Sequence, residues 1–350
     1  MNNEHPVSGQ ETPSEASVTG IYRTPIGTKI LLFVLLCGFS ALSSLAPDAL
    51  LRFFCMAAGS GLFAFVNLLT FSPVFLLSAL PGTILAFVLT KSVIGAVPSL
   101  VFLTGGAVMT LLLLKRKSKT VTVLGAAVSI GAGILICLLL AYIAGGGSLS
   151  FSVLLKHYNA YFEGFETLLS ETLQTYAAAM YPSEDFAVAA VLPANALSNM
   201  TDILKVTMPA LCCVFAEILG YLAVTVFLLF VRIFRCRLLV PRKFIIELTP
   251  AAAIVFMVCY LIMLFSRSQN VTLWTAAAEN LVLLLMPGLF VVGLHSLARR
   301  ARIPERRKSF FLTLLLLIFA FLFSPAVCLF FIVIDGIGEI FFGKLQSFRH

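Results

Sequence analysis

Residues 208–250 read MPALCCVFAEILGYLAVTVFLLFVRIFRCRLLVPRKFIIELTP. An apolar run long enough to cross a bilayer comes first, five cations follow it, and Pro250 opens the next apolar run. The run holds one acid, Glu217, in the half that is distant from the cations. Because cations collect on the cytoplasmic side of membrane segments, this stretch predicts a transmembrane helix whose cationic end lies inside.

The same pattern recurs along most of the chain. Hydrophobic residues make up 60% of the sequence and charged residues only 11%, whereas a soluble domain has about 25% charged residues. The net charge of +8 does not indicate nucleic acid, because 15 of the 24 lysines and arginines fall in three short loops between apolar runs, at 115–119, 232–243 and 299–308. We therefore expect the lipid bilayer, and no nucleic acid, as a partner.

The three basic loops predict the orientation of the protein. Each pair of neighbouring basic loops is separated by an even number of apolar runs, so all three fall on one side of the membrane. We expect that side to be cytoplasmic, with a cytoplasmic amino terminus in the cell membrane. The cations that set this topology are Lys115, Arg116, Lys117, Arg232, Arg235, Arg237, Arg299, Arg300, Arg306 and Arg307.

The predicted fold is all-α, a polytopic transmembrane helix bundle. Residues 1–24 are polar and predict a disordered cytoplasmic tail. A first bundle of about five spans covers 25–144, an extracytoplasmic helical segment covers 145–206, and four or five further spans cover 207–350. The total is nine or ten, because residues 309–342 are too long for one span and barely long enough for two. Ser324-Pro325 in the middle, and cations at the end of the chain, favour a hairpin.

The predicted outer segment begins after Gly145-Gly146-Gly147 and has its own pattern. From Phe151 to Met180, apolar positions recur every three or four residues, with acids and amides off this stripe. That period indicates one long amphipathic helix. An amphipathic helix of this kind lies against the membrane surface or caps the bundle.

Motifs for catalysis do not occur in the sequence. There is no nucleotide-binding loop, no zinc-protease helix signature and no nucleophile elbow. The four histidines are scattered, and no cysteine and histidine spacing suits a metal ion. We expect neither a metal nor a cofactor, and a protein that is not an enzyme.

Polar groups at membrane depth are the remaining candidates for function. Glu217, Glu279 and Asn280 fall in outer halves of predicted spans and form the predicted pocket, open to the outside. Asn67 and Asp335 are weaker candidates. An ionised group in the hydrocarbon costs at least about 2.5 kcal/mol, so it usually faces a partner, a cavity or a pathway. The alternative is that Glu217 is protonated or hydrogen-bonded between helices, and that Glu279 lies in the headgroup region.

Several of these features come in an order that suggests a family. Met208-Pro209-Ala210-Leu211 opens a helix that ends in the arginines of 232–237, Pro250 starts the next, and Glu279-Asn280 opens a span that contains Gly293. Asp335 then precedes an aromatic and basic end. From about residue 25 onward the chain resembles the YybS-like family of bacterial membrane proteins, whose function is unknown. The ending GIGEIFFGKLQSFRH is looser than the aromatic-acid-arginine ending of that family.

That family is in turn distantly similar to the S components of energy-coupling-factor transporters. The resemblance implies a subunit that binds a vitamin or metal ion from outside and docks on a shared ATPase module. The first hypothesis is therefore a small-solute binding or transport component. The alternative is a non-catalytic scaffold that binds an envelope partner through its outer helix. A membrane enzyme has the least support.

Overall fold

The computed structural model describes residues 25–70, 72–91, 97–180, 194–241, 244–266, 273–302 and 307–347. Regular secondary structure in these residues is entirely helical. The α-helices are α1 Ile26–Leu45, α2 Ala49–Thr70, α3 Leu80–Thr90, α4 Pro98–Leu114, α5 Lys119–Ala144, α6 Phe151–Met180, α7 Ala194–Ile233, α8 Pro250–Ser266, α9 Leu273–Arg302, α10 Arg307–Phe323 and α11 Pro325–Ser347. Short 3₁₀ helices cover Pro73–Ala79 and Arg237–Leu239.

Local sequence signals account for several of the helix ends. Pro98, Pro250 and Pro325 each stand at the first position of a helix, where a missing N–H costs nothing. The predicted break at Ser324-Pro325 is confirmed, since α10 ends at Phe323 and α11 begins at Pro325.

Three helices end in the same hydrogen-bonded turn. The turn residue has a left-handed backbone: Gly146 at φ 84° after α5, Arg116 at φ 52° after α4 and Arg235 at φ 56° after α7. In each turn the next N–H bonds the carbonyl five residues back, as from Cys236 to Val231 at 2.9 Å. This is the Schellman motif, in which glycine is the usual turn residue because other side chains are strained there. Two of the predicted topology-setting arginines therefore also end helices.

In the described part of the chain, five helices are long and apolar enough to cross a membrane: Ile26–Leu45, Ala49–Thr70, Lys119–Ala144, Leu197–Ile233 and Leu273–Arg302. Four shorter apolar helices lie within 74–89, 98–114, 250–265 and 309–322. The prediction of an all-helical membrane protein is confirmed, whereas the count of nine or ten spans stays a prediction. The predicted division at residues 24, 144 and 206 concerns membrane sides and also stays a prediction.

The chain forms two compact units, 1–133 with 219–244 and 134–218 with 245–350. In the first unit α2 is the central helix and packs against α1 and α4. A Cβ on Gly61 of α2 would lie 2.1 Å from the carbonyl oxygen of Ala223, so glycine is needed for this close approach to α7. Phe65 packs beside Phe230 and Phe234, with ring centroids 5.7 and 5.4 Å away.

The second unit has its core among α8, α9 and α11. Phe256 and Cys259 of α8, Leu289 of α9, and Val333 and Ile340 of α11 belong to one buried cluster. Helix α10 packs against α9 and α11.

Helix α6 joins the second unit through a few residues. Tyr158 donates a hydrogen bond to the Lys205 carbonyl of α7 at 2.6 Å, and Phe162 is only 4% exposed. Phe151, Tyr161 and Leu168 are 79%, 67% and 64% exposed. The predicted long amphipathic helix is present, and only part of its apolar surface is covered by the chain.

Candidate functional site

Glu217 lies on α7, in the part of that helix that belongs to the second unit. It follows Lys205 by twelve residues and precedes Arg232 by fifteen, and these cations flank the apolar stretch. Its side chain is half-buried. Among the residues that the structure describes, none forms a hydrogen bond or ion pair with its carboxyl group. The sequence-based alternative of a hydrogen bond between helices has no support in those residues.

Asn280 connects α9 to α7. Its Nδ2 donates to the Val206 carbonyl at 3.0 Å and to the Ala276 carbonyl of its own helix at 2.8 Å. Both neighbours are carbonyl oxygens, so the amide nitrogen must face them. The other atom, Oδ1, is buried and has no hydrogen-bond partner in the described part of the chain. A buried acceptor without a donor lowers the stability of the fold. The Asn280 amide is therefore a candidate for binding a hydrogen-bond donor as well as a contact between two helices.

Glu279 and Asn280 stand at a different level from Glu217. The Asn280 contact is with Val206, eleven residues before Glu217 on α7. At 1.5 Å per residue, that separation is about 16 Å along the helix. Glu279 is half-exposed and pairs with no described residue. A pocket shared by all three residues stays a prediction, and these positions favour two polar sites at different depths.

Asn67, the polar candidate in the first unit, has a structural explanation. Its Nδ2 lies 3.5 Å from Oγ1 of Thr110 on α4. The Thr110 hydroxyl donates to the Gly106 carbonyl at 2.8 Å, so its oxygen is free to accept from Asn67. Helix α4 thereby supplies one hydrogen-bond partner for the amide nitrogen of Asn67.

Asp335 lies in a group of ionised side chains between α9 and α11. Nη2 of Arg300 donates to Oδ1 of Asp335 at 2.5 Å. Arg299 pairs with Glu339, and the Ser296 hydroxyl donates to the same carboxylate at 3.2 Å. We call these five residues the α9–α11 ion-pair group.

The pattern behind this group is visible in retrospect. Asp335 and Glu339 are four residues apart and share a face of α11, while Ser296, Arg299 and Arg300 follow the same period on α9. Charge pattern alone assigns the two arginines to topology, and neither Ser296 nor Glu339 stands out in the sequence as a site residue. Oδ2 of Asp335 is buried without a partner among the described residues.

Close backbone packing holds the two helices of this group together. A Cβ on Gly293 would lie 2.1 Å from the Ile332 carbonyl oxygen, and one on Gly336 would lie 2.3 Å from the Leu289 carbonyl oxygen. Small residues at such crossings let two helices approach closely in a membrane protein.

The other cations that are predicted to set the topology are exposed or lie outside the described residues. The exposed ones are Lys115, Arg116, Lys117, Arg232, Arg235 and Arg237. Arg306 and the side chain of Arg307 lie outside the described residues. Lys119 differs, since it is 8% exposed and its Nζ sits 5.1 Å from the ring centre of Tyr221.

Metal-ligating residues do not cluster in the described part of the chain, where no group of three or more histidines, cysteines and acids comes together. Three of the polar sites in the described part of the second unit are the Asn280 amide, Glu217 and the α9–α11 ion-pair group.

These features define an all-helical membrane protein whose apolar helices hold polar groups without a partner among the described residues. The model of a family described as predicted membrane proteins (DUF2232) matches residues 50–335, which is most of the chain, and the protein belongs to that family. Comparison with curated proteins and with solved structures gives no match. The YybS-like resemblance and the similarity to S components therefore stay predictions.

Proposed function

We propose that this protein is a small-solute binding component of a membrane transport system, and not an enzyme, with Glu217 as its principal polar contact. The observation that carries the proposal is Glu217 itself, an acid in the middle of an apolar helix with no partner among the described residues. Solute and ion sites of transporters lie near the bilayer midplane. An ionisable group at that depth needs a partner, and a bound solute supplies one.

Asn280 and Glu279 extend the proposal to a path from the outer side. The Asn280 amide stands about 16 Å from Glu217 along α7, and its buried Oδ1 is an acceptor without a donor. A solute with an N–H or O–H group satisfies that acceptor on entry and meets the Glu217 carboxyl group deeper in the membrane. The expected solute is therefore a polar donor or a cation, such as a vitamin or a metal ion.

The test begins with gentle purification and mass spectrometry of whatever small molecule remains bound. Vitamins and divalent metal ions are then screened for a rise in the melting temperature of the full chain. The solute that stabilises the protein is titrated against Glu217→Gln, which keeps the shape of the side chain and removes its charge. We expect at least a tenfold loss of affinity, because a charged hydrogen bond contributes about 1.5 to 3 kcal/mol.

Glu163→Gln is the matched control, because Glu163 is exposed on α6 and the chemical change is identical. It should leave the affinity unchanged. The proposal fails if no molecule is retained and none raises the melting temperature, or if Glu217→Gln binds as tightly as the parent protein.

A second candidate function follows from the surface of α6. Phe151, Tyr161 and Leu168 are largely exposed on a helix that is anchored at Tyr158 and Phe162. Such a helix suits a scaffold that binds an envelope protein. A photo-crosslinker at position 163 or 166 should then trap one defined protein, and a crosslinker at position 202, on α7, should not. If the crosslinkers on α6 form adducts with lipid only and with no protein, this second function is refuted.

A further inference from the structure

A cleft of about 410 Å³ lies where α5 ends and α6 begins, within the second unit. It is lined by the Gly145–Gly147 turn, Tyr142, Ser148, Val153 and His157. Its volume is within the range of about 300 to 1,000 Å³ that is usual for small-molecule sites. The predicted topology places this end of α5 on the outer side.

In this turn the backbone at Gly147 packs against the ring of Tyr142. Gly146 has φ 84°, and a Cβ on Gly147 would lie 2.3 Å from the Tyr142 ring. Glycine at both positions lets the chain reverse directly over that ring. The rings of Tyr142 and His157 meet edge to face with centroids 5.6 Å apart, so two aromatic groups form adjoining walls of the cleft.

Three side chains give the cleft its hydrogen-bonding capacity. The Tyr142 hydroxyl is buried without a hydrogen-bond partner in the described residues. Nδ1 of His157 lies 2.8 Å from the Val153 carbonyl, which can only accept, so Nδ1 carries the proton and Nε2 of the neutral ring is an acceptor. Oγ of Ser148 accepts from the Ser150 N–H at 3.4 Å, which leaves the serine O–H able to donate.

The residues that line the cleft indicate which class of ligand it binds. No acid, lysine or arginine is among the described residues that line the cleft, so with a neutral His157 the cleft offers a charged ligand no counter-ion. Aromatic walls favour a planar ring, and the hydroxyl groups and Nε2 match a ligand that both donates and accepts hydrogen bonds. A buried hydroxyl without a partner costs about 1 to 3 kcal/mol, which such a ligand removes.

We propose that the cleft formed by the Gly145–Gly147 turn, Tyr142 and His157 is a binding site for a small, neutral, planar heterocycle that carries at least one N–H donor. The site is separate from Glu217 and does not depend on the function proposed for that residue.

The test uses 5-fluorouracil as the probe, since it is planar, neutral below its N–H titration, and visible by ¹⁹F NMR. The full chain in detergent micelles is titrated with the probe at about pH 7.2, above the ordinary histidine pKa of about 6.5, with empty micelles as the blank. We expect saturable broadening or a shift of the fluorine signal. Its carboxylate derivative, 5-fluoroorotate, should bind at least tenfold more weakly because, with His157 neutral, none of the described residues that line the cleft is a cation.

Tyr142→Phe removes only the buried hydroxyl and should weaken probe binding about tenfold. Tyr161→Phe is the matched control, because Tyr161 is 67% exposed on α6 and does not line the cleft; it should bind as the parent does. His157→Phe keeps a ring against Tyr142 and removes the acceptor, so it should also lose about tenfold. Glu217→Gln should leave probe binding intact, which separates this site from the proposed transport site.

The proposal is overturned if the fluorine signal matches that of empty micelles, which would mean that water alone satisfies Tyr142. Equal binding by Tyr142→Phe and the parent would overturn it as well, as would binding of 5-fluoroorotate as tight as that of 5-fluorouracil. Each of these results can be read without knowing the natural ligand.

Discussion

Replacing Gly336 by alanine tests the packing of α9 against α11. The new Cβ would lie 2.3 Å from the Leu289 carbonyl oxygen and 3.0 Å from the Gly293 nitrogen, whereas ordinary contact begins near 3.4 Å. Both neighbours are backbone atoms, so no side chain can turn away and the helices must separate by about 1.1 Å at this point. Forcing extra volume into a packed core costs about 1 to 3 kcal/mol.

Gly338→Ala is the matched control on the same helix. A Cβ at Gly338 has nothing within 4 Å, yet the substitution brings the same gain of about 1 kcal/mol in helix propensity. The difference between the two variants therefore isolates the steric cost at Gly336. At about 2 to 4 °C per kcal/mol, Gly336→Ala should melt about 2 to 12 °C below Gly338→Ala. The upper part of that range is expected, because separating the helices also stretches the Arg300–Asp335 contact.

Thermal unfolding in detergent is followed with a thiol-reactive fluorophore. Cys259 is 7% exposed and belongs to the same buried cluster as Val333 of α11, so in a background where the other seven cysteines are replaced by alanine its reaction reports the opening of this core. Equal melting temperatures for the two alanine variants would refute the close approach of α9 and α11. A lower melting temperature for Gly338→Ala would refute it as well.

Three further predictions concern hydrogen bonds, ion pairs and helix ends. Tyr158→Phe should loosen α6 by about 1 kcal/mol, measured as faster hydrogen exchange in α6, while Tyr161→Phe should not. Because burial raises the pKa of Tyr158 above its ordinary 10.0, this stabilisation should be complete below pH 10 and be lost as the pH rises through the raised pKa. A double-mutant cycle of Arg300→Met and Asp335→Asn should give a coupling free energy of unfolding of about 1.5 kcal/mol or more, whereas an exposed ion pair gives under about 1 kcal/mol. A coupling free energy near zero would contradict the ion pair. Arg235→Gly should raise the melting temperature by about 2 to 4 °C, since its left-handed backbone costs about 1 kcal/mol, whereas Arg235→Ala should give no such gain.

The candidate site was predictable only in part. Hydropathy singles out Glu217 and Asn280 because a polar group within an apolar run is visible residue by residue. What each group contacts is not visible in this way. Asn280 reaches Val206, 74 residues earlier, and Arg300 reaches Asp335 across 35 residues. Nothing local in the sequence specifies which pairs of helices become neighbours.

The sequence by itself determined the membrane class, the all-helical secondary structure, the break at Ser324-Pro325 and the amphipathic helix α6. These follow from hydropathy, from the period of apolar residues and from proline and glycine, all of which act within a few residues. Tertiary structure alone decided that Arg299 and Arg300 pair with acids of α11, that Gly293 and Gly336 lie at a helix crossing, and that Tyr142 and His157 wall a cleft. The physical reason is that helices in a membrane associate through packing and hydrogen bonds between surfaces that are distant in sequence.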